Sequence, residues 1–387
     1  MASIDPVALA ADLISCPSVT PASGEVFDLL ENALTPLGFD CHRWVMGEAP
    51  DGPTENMVAI RGSGAPHFGF AGHLDVVPPG DGWRGDPFGA EIADGVLVGR
   101  GANDMKSAIA AYVAALSRLG DTRGTLSLLI TGDEEGPSIN GTHKVLAWMK
   151  EQGEHPDHCL VGEPTNSKRI GESIKIGRRG SLNGRLKVAG TQGHVAYPHL
   201  ANNPIRGLVK ILARLYDSPL DYGSAHFSPS NLEVTSVDVG NPTVNVIPAF
   251  AEAKFNVRFN DRHSVEALKA LLTEQATLAL SGTDLSVTLD FDPPSDSFLT
   301  EPGPLDALLS EAIREVTGLT PSLATDGGTS DARFIKEYCP VVEFGLSNAT
   351  IHKVDENVPV ADLEQLTAVY RRFIELYFTT FGGADAG

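Results

Sequence analysis

Histidine and acidic side chains follow buried segments at several points of this 387-residue chain. His73 and Asp75 come directly after the apolar segment 67–71, which we interpret as a strand. Two residues apart in an extended chain, they share a face. An imidazole beside a carboxylate can bind zinc while the carboxylate fixes its tautomer or ring orientation. Taken alone, such a pair is more often an ordinary loop feature.

A pair of adjacent glutamates, Glu134 and Glu135, follows the strand-like segment 125–131. Neighbouring residues in an extended chain point to opposite sides, so one can bind a metal ion while the other transfers protons. Asp104 stands where an amphipathic helix is predicted to begin, a position at which an acidic residue is commonly an N-cap. A solvated acidic turn and a helix cap are therefore the alternative interpretations of these motifs.

Two further candidates lie beyond predicted strands. Glu163 follows the segment 158–161, and His352 follows the segment 341–344. Open α/β sheets bind ligands at the carboxyl edge of their strands, so these strand ends imply a single site. Two imidazoles and three carboxylates suit a pair of divalent zinc-type ions with a carboxylate or water between them. Such a pair activates water and polarises a carbonyl group.

The segments that must position these residues form two patterns. Helical and strand-like segments alternate over residues 25–161, which predicts a sheet covered by helices. Within 179–293 the order is strand, helix, strand, strand, helix, strand, which is typical of a ferredoxin-like α+β unit. We therefore predict a catalytic domain of residues 1–178 and 294–387, and an inserted domain of residues 179–293.

Composition excludes several classes of function. The chain has 42% hydrophobic and 20% charged residues, as in ordinary globular proteins, and its net charge of −21 disfavours binding to nucleic acid or anionic membranes. The four cysteines form no close pair, and neither a basic leader nor a long apolar span is present, so we expect a cytoplasmic protein. The sequence contains no H-E-x-x-H, P-loop or G-x-S-x-G motif.

The chain resembles the co-catalytic zinc amidohydrolase family, which includes aminoacylase, carboxypeptidase G and acetylornithine deacetylase, over essentially its whole length. The resemblance lies in the ordered motifs His73-Leu-Asp75, Asn103-Asp104-Met-Lys-Ser, Asp133-Glu134-Glu135-Gly, Glu163-Pro-Thr and His352. It implies a zinc-peptidase-like catalytic domain with a central mixed sheet flanked by helices. It also implies that the inserted ferredoxin-like domain serves in dimerisation or as a lid.

The same resemblance implies a role for each candidate ligand. His73 and Glu163 would bind one ion, Glu135 and His352 the other, and Asp104 would bridge them. We therefore expect two divalent metal ions per subunit, Zn²⁺ in preference and Co²⁺ as the alternative.

Two catalytic roles and one backbone feature are implied in the same way. Glu134 would be the general base, and Asp75 would be the partner of the His73 ring. Members of the family often have a cis peptide after the bridging aspartate, which here is the bond between Asp104 and Met105.

Further segments resemble the branch of the family that hydrolyses N-succinylated diaminopimelate. They cover residues 175–182, 192–199, 244–248 and 326–334. The resemblance implies that His194 reaches the site of the partner subunit in a homodimer, as an oxyanion donor. It also implies these substrate-binding residues: Arg178, Tyr197, Asn245, Arg258, Gly328, Thr329 and Asn348.

The residues themselves support one of these substrate contacts. Arg258 lies on the polar face of an alternating strand, and its guanidinium can bind a carboxylate through two hydrogen bonds. For Arg178 and its neighbour Arg179, a solvated basic turn remains an alternative.

The reaction implied is hydrolysis of a small N-acylated dicarboxylic amino acid. We expect N-succinyl-LL-2,6-diaminopimelate to give succinate and LL-2,6-diaminopimelate, a step in the synthesis of lysine and cell-wall precursors. Deacetylation of acetylornithine, hydrolysis of another N-acyl amino acid and a carboxypeptidase reaction are the nearest alternatives. A metal-free binding homologue is an alternative of another class, although all five ligand positions hold residues that bind metal.

Overall fold

The structure is a computed structural model that describes residues 3–120 and 122–382. It divides into two compact units. Unit 1 comprises Met1–Ile176, Thr300–Ala324 and Ser330–Gly387, and unit 2 comprises Gly177–Leu299 and Thr325–Thr329.

The regular elements of both units are numbered together in chain order. The α-helices are α1 Pro6–Ile14, α2 Glu25–Leu34, α3 Lys106–Ser117, α4 Thr142–Gln152, α5 Pro204–Tyr216, α6 Val265–Ala279, α7 Pro304–Thr317, α8 Ala332–Ile335 and α9 Val360–Phe381. The strands of the first half are β1 Asp40–Met46, β2 Thr54–Ser63, β3 His67–His73, β4 Glu91–Ala93, β5 Val96–Val98, β6 Gly124–Thr131, β7 His158–Val161, β8 Ser173–Lys175, β9 Gly177–Arg178 and β10 Gly180–Ala189. The remaining strands are β11 Gly193–His194, β12 Asn231–Asp238, β13 Val246–Ile247, β14 Phe250–Phe259, β15 Ser286–Phe291, β16 Phe298–Leu299, β17 Ser322–Ala324, β18 Val341–Glu343 and β19 Asn357–Pro359.

An eight-stranded mixed sheet is the centre of unit 1. Its strand order is β1-β2-β6-β3-β7-β18-β8-β17, and β6, β3, β7 and β18 run parallel to one another. All residues of β3 are buried, as expected for a parallel strand covered on both faces. Helix α3 is buried from Lys106 to Leu116 and packs against α1 and α9. The predicted fold class, an α/β unit with a mixed central sheet flanked by helices, is confirmed.

Unit 2 contains a four-stranded antiparallel sheet in the order β12-β14-β10-β15. The chain passes through β10, α5, β12, β14, α6 and β15, which is the ferredoxin-like order. In β10 the even positions 182, 186 and 188 are buried, and the charged side chains between them face the other way. These apolar residues form one core with the inner faces of α5 and α6.

The boundaries of the units differ slightly from the predicted 178 and 294. The short strands β9 and β16 pair with each other, so the unit boundaries lie after Ile176 and after Leu299. The segment Thr325–Thr329 also belongs to unit 2, where Thr325 donates a hydrogen bond to the carbonyl of His226.

Among the helices within residues 3–120 and 122–382, none is both long and apolar enough to cross a membrane.

Candidate dinuclear metal centre

The carboxyl ends of adjacent parallel strands carry three of the predicted ligands. His73 is the last residue of β3, Glu135 follows β6 and Glu163 follows β7. Because β6, β3 and β7 are neighbours that run in one direction, their carboxyl ends meet at one edge of the sheet.

Two glycines lie against the side chain of Met105, the residue that follows Asp104. A Cβ atom on Gly72 would lie 2.6 Å from Cε of Met105, and one on Gly162 would lie 2.7 Å from the same atom. These separations are too short for real carbon contacts, so any larger residue at either position would require the end of the Met105 side chain to shift. The glycines before His73 and Glu163 thus make room for the side chain that follows Asp104.

Asp104 lies between the two imidazoles. Its Oδ1 is 3.2 Å from Nε2 of His73, and its Oδ2 is 3.5 Å from Nε2 of His352. Glu163 approaches His73 to 3.6 Å, and Glu135 accepts a hydrogen bond of 2.7 Å from His352. Each oxygen of Asp104 is therefore directed at a different histidine, as a bridging ligand requires.

A hydrogen bond at the other ring nitrogen, Nδ1, orients the ring of His73. Its Nδ1 donates to the backbone carbonyl of Asp75 at 2.9 Å, which turns Nε2 towards Asp104. The sequence assigned this orienting role to the carboxylate of Asp75, which lies 3.6 Å from Nδ1. The closer partner is thus the main-chain oxygen of the same residue.

The carboxylate of Asp75 has a different set of partners. It is fully buried and accepts hydrogen bonds from the backbone N–H groups of Glu134, at 3.2 Å, and Glu135, at 3.0 Å. Asp75 therefore fixes the segment that carries the predicted base and a predicted ligand.

Electrostatics within the cluster is dominated by carboxylates. Hydrogen bonds to Asp104 and to Glu135 raise the pKa of His352 to about 10. Burial alone would lower the pKa of His73, but its hydrogen bonds to Asp104 and Glu163 hold the pKa well above the usual range. Burial raises the pKa of the Glu134 carboxyl well above its usual value, and the charge of Glu163 adds to the shift. These shifts indicate a site with an excess of negative charge.

The donor set fits a pair of divalent cations. His73, Asp104 and Glu163 form one group whose ligand atoms lie within 4.8 Å of one another, and Asp104, Glu135 and His352 form a second. Together they present nitrogen and carboxylate oxygen donors, the set that zinc-type ions prefer. His73 with Glu134 and Glu135 satisfies the same distance limit. The two groups that share Asp104 use each histidine once and agree with the directions of the ring nitrogens.

Two details concern the start of α3. The peptide bond between Asp104 and Met105 is cis, as the resemblance implied. The N-cap residue of α3 is Met105, which makes no side-chain cap, so Asp104 does not serve as the N-cap.

The predicted substrate-binding residues are mostly in unit 2. Within that unit, Arg178 is buried and its Nη1 donates to the carbonyl of Gly328 at 3.1 Å. Arg258 is half-buried on β14, where burial and the nearby charge of Arg179 lower its pKa. Thr329 is half-buried in the same segment as Gly328.

His194 and the remaining predicted substrate-binding side chains, those of Tyr197, Asn245 and Asn348, are exposed. His194 pairs with Val246 across the β11–β13 ladder, and the carbonyl of Asn245 accepts from the N–H of Val195. The Tyr197 residue is 57% exposed. Asn348 belongs to unit 1, where its N–H donates to the carbonyl of Asn166.

Two buried acidic residues beside the cluster received no role from sequence. Asp331 accepts a hydrogen bond of 2.6 Å from Thr142, and burial raises its pKa to about 6. Glu356 is fully buried and accepts from the backbone N–H of Asp104 at 3.0 Å. Both have partners about 190 to 250 positions away, so these contacts exist only in the folded chain, although Asp331 lies within the segment 326–334 singled out from sequence.

Comparison with known proteins gives a family and near relatives. The model of peptidase family M20/M25/M40 matches residues 69–376. The succinyl-diaminopimelate desuccinylase of Rhizorhabdus wittichii is 56% identical over 96% of this chain and 97% of that protein. The succinyl-diaminopimelate desuccinylase of Rhodospirillum rubrum is 53% identical over 97% of this chain and 98% of its own length.

Solved structures share the fold at much lower identity. Aminopeptidase PepT from Bacillus cereus superimposes with a TM-score of 0.78 at 19% identity, over 96% of this chain and 98% of that one. Human carnosine dipeptidase 1 gives a TM-score of 0.74 at 20% identity, over 97% and 96% of the two chains.

Proposed function

The chain belongs to peptidase family M20/M25/M40, and from this premise we propose that it hydrolyses N-succinyl-LL-2,6-diaminopimelate to succinate and LL-2,6-diaminopimelate. The substrate assignment rests on the 53–56% identity, over nearly the whole chain, to relatives named as succinyl-diaminopimelate desuccinylases. The reaction type, metal-dependent hydrolysis, is supported by the two three-residue groups of potential metal ligands that share Asp104.

Two divalent cations would be held at the strand edge. His73 and Glu163 would hold one, Glu135 and His352 the other, and Asp104 would lie between them. Zn²⁺ suits this donor set, with Co²⁺ as the alternative. When bound, such a pair polarises a carbonyl group and makes a water molecule more acidic.

Glu134 would act as the general base and then as the general acid. It takes a proton from the attacking water as the new C–O bond forms, and it returns that proton to the amide nitrogen as the C–N bond breaks. Burial holds the pKa of its carboxyl above the usual value, so it is a stronger base than an ordinary glutamate. Asp75 keeps the segment in place through two backbone hydrogen bonds.

Substrate carboxylates would be bound by the arginines of unit 2. A guanidinium can bind a carboxylate through two hydrogen bonds, and an acetyl group has no second carboxylate to offer, so Arg178 and Arg258 would favour a succinyl group over an acetyl group. The remaining residues proposed to contact substrate are Tyr197, Asn245, Gly328, Thr329 and Asn348.

We also propose a homodimer formed through unit 2, in which His194 donates to the oxyanion in the partner subunit's site. Mixing inactive His194→Ala chains with inactive Glu134→Gln chains should restore partial activity, since one of the two sites in a mixed dimer then holds both intact residues. Failure to recover activity after verified exchange of subunits would contradict the shared site. A cytoplasmic location and a place in lysine and cell-wall precursor synthesis complete the proposal.

The substrate assignment is tested by comparing two acylated amino acids. We expect kcat/KM for N-succinyl-LL-2,6-diaminopimelate to exceed that for N-acetylornithine by at least about 10²-fold, the scale of one desolvated charged contact. Replacing Arg178 or Arg258 with Ala should reduce this ratio without changing the metal content. Efficient hydrolysis of N-acetylornithine with little succinyl activity would contradict the proposal and indicate a deacetylase.

A further inference from the structure

A fully buried glutamate, Glu356, lies four residues after His352 and has no part in the chemistry described above. One of its oxygens, Oε1, accepts hydrogen bonds from two consecutive backbone N–H groups, those of Asn103 at 2.8 Å and Asp104 at 3.0 Å. Its carboxylate therefore holds the main chain that presents the shared ligand Asp104.

The other oxygen of Glu356 is neutralised by a buried arginine. Nη1 of Arg100 donates to Oε2 at 2.7 Å, and Arg100 is only 2% exposed. The guanidinium is held in turn by the carbonyl of Pro79, at 3.1 Å from Nη2, and by the ring of Trp83, 5.3 Å away. Since its partners fix the arginine, the carboxylate of Glu356 has little freedom to move.

Additional hydrogen bonds join the same two stretches of chain. Nδ2 of Asn103 donates to Oγ1 of Thr350 at 2.9 Å, and this hydroxyl donates to the carbonyl of Asn357 at 2.8 Å. The N–H of Gly99 donates to the carbonyl of Glu356 at 2.9 Å. The stretch that carries Asp104 is thereby bound to the stretch that carries His352.

The two ion positions differ in their support. His73 ends β3 and Glu163 follows β7, so the first position rests on the central sheet. His352 lies in a loop and has a φ of 57°, a left-handed conformation that is unusual for a residue other than glycine. The second position therefore relies on contacts that hold this loop.

We propose that Glu356 is a positioning residue for the second metal ion: through Asn103, Asp104 and Arg100 it fixes Asp104 and the His352 loop in the arrangement that binds the ion. The inference rests on the two-metal centre of the proposed function. Residues that orient metal ligands typically contribute 10- to 100-fold to metal affinity. Most of that effect should fall on the second ion, because the first keeps two ligands supported by the sheet, whereas the second keeps only Glu135.

The test is a zinc titration of metal-free protein, followed calorimetrically, for three variants. Glu356→Gln removes the charge opposite Arg100. The double variant Glu356→Leu with Arg100→Met removes both charges, an exchange that is often neutral for stability, while leaving the N–H groups of Asn103 and Asp104 without their acceptor. Glu55→Gln is the matched control, because Glu55 is also buried, pairs with Arg43 and accepts a backbone N–H from Gly24.

We expect both Glu356 variants to bind the second zinc ion about 10- to 100-fold more weakly, and the first within about threefold, while Glu55→Gln binds both as the unaltered chain does. A His352→Ala chain identifies the second binding step. Unchanged affinity for both ions in the two Glu356 variants would overturn the inference. Equal weakening of both ions, in step with a lower Tm, would also overturn it, since it would indicate a general structural role. Failure of the unaltered chain to bind zinc would overturn the proposed function itself, and the inference with it.

Discussion

Each unit of the protein contains a cluster of carboxylate and imidazole groups, but the clusters differ in their balance of donors and acceptors. In unit 2, Asp221 is surrounded by donors. Its Oδ1 accepts from the N–H of Gly223 at 2.6 Å and from Nδ2 of Asn260 at 2.7 Å, and its Oδ2 contacts Nε2 of His263 at 3.0 Å. Burial would raise the pKa of Asp221, but hydrogen bonds from Ser230, Gly223 and Asn260 hold it below its usual range.

In unit 1 the carboxylates outnumber the donors. Asp104 and Glu135 both approach His352, and Glu163 approaches His73, while the pKa of Glu134 is raised. A cluster with enough donors is complete without a ligand and serves the fold. A cluster with surplus carboxylates needs added positive charge, which a pair of divalent ions would supply.

The largest expected effect is on turnover in unit 1. Glu134→Gln should lower kcat by about 10²- to 10⁴-fold with metal content unchanged, because glutamine cannot take the proton from water. Steady-state kinetics with metal analysis of the same sample provides the measurement. Glu151→Gln, at an exposed position of α4, is the control and should keep full activity. A kcat near that of the unaltered chain in metal-replete Glu134→Gln would contradict the role of Glu134 as general base.

The second effect is the pH dependence of metal binding. In the metal-free protein the pKa of His352 is raised to about 10, so a proton must leave before its nitrogen can bind an ion. Affinity for the second ion should therefore rise with pH, by about tenfold per unit between pH 6 and 8. Calorimetry in buffers of different ionisation enthalpy counts the protons released, and His352→Ala should reduce that count by about one. Metal affinity that does not vary over this pH range would contradict the expected protonation of His352.

The smallest effect concerns the cluster in unit 2. Asp221→Asn should destabilise unit 2 by about 1–3 kcal/mol, because buried donors lose a charged acceptor. Since the pKa of Asp221 is lowered in the folded state, its contribution is fully present above the unfolded value of about 3.9 and is lost progressively as pH falls from there through the lower folded value. Urea unfolding at pH 7 and near pH 3 should show the difference from the unaltered chain shrinking at the lower pH. A change in metal content in Asp221→Asn would contradict a purely structural role of Asp221.

Unit 2 was the region best predicted from sequence. Its strands alternate polar and apolar residues over whole elements, so the predicted segments 182–188 and 251–259 agree with β10 and β14 to within two residues. The three-residue strands β4, β5 and β19 were not predicted, because so few residues show no periodicity.

The sequence says more about the candidate metal ligands than about the residues that position them. The candidate ligands His73, Glu135 and Glu163 could be proposed from sequence because they lie at or just beyond strands in short recognisable motifs. Asp75 was predicted as a supporting residue, but the residue that holds the backbone of Asp104 could not be. Glu356 contacts backbone N–H groups more than 250 positions earlier in the chain, and that contact exists only in the folded protein.

The most direct test of the central claim is the anomalous diffraction of crystals of the zinc-loaded protein. We predict two peaks about 3.5–4 Å apart, the usual separation of co-catalytic ions. His73 and Glu163 should flank one peak, Glu135 and His352 the other, and Asp104 should lie between them. A single peak, or an ion held by His73 together with Glu134 and Glu135, would contradict the shared-carboxylate centre.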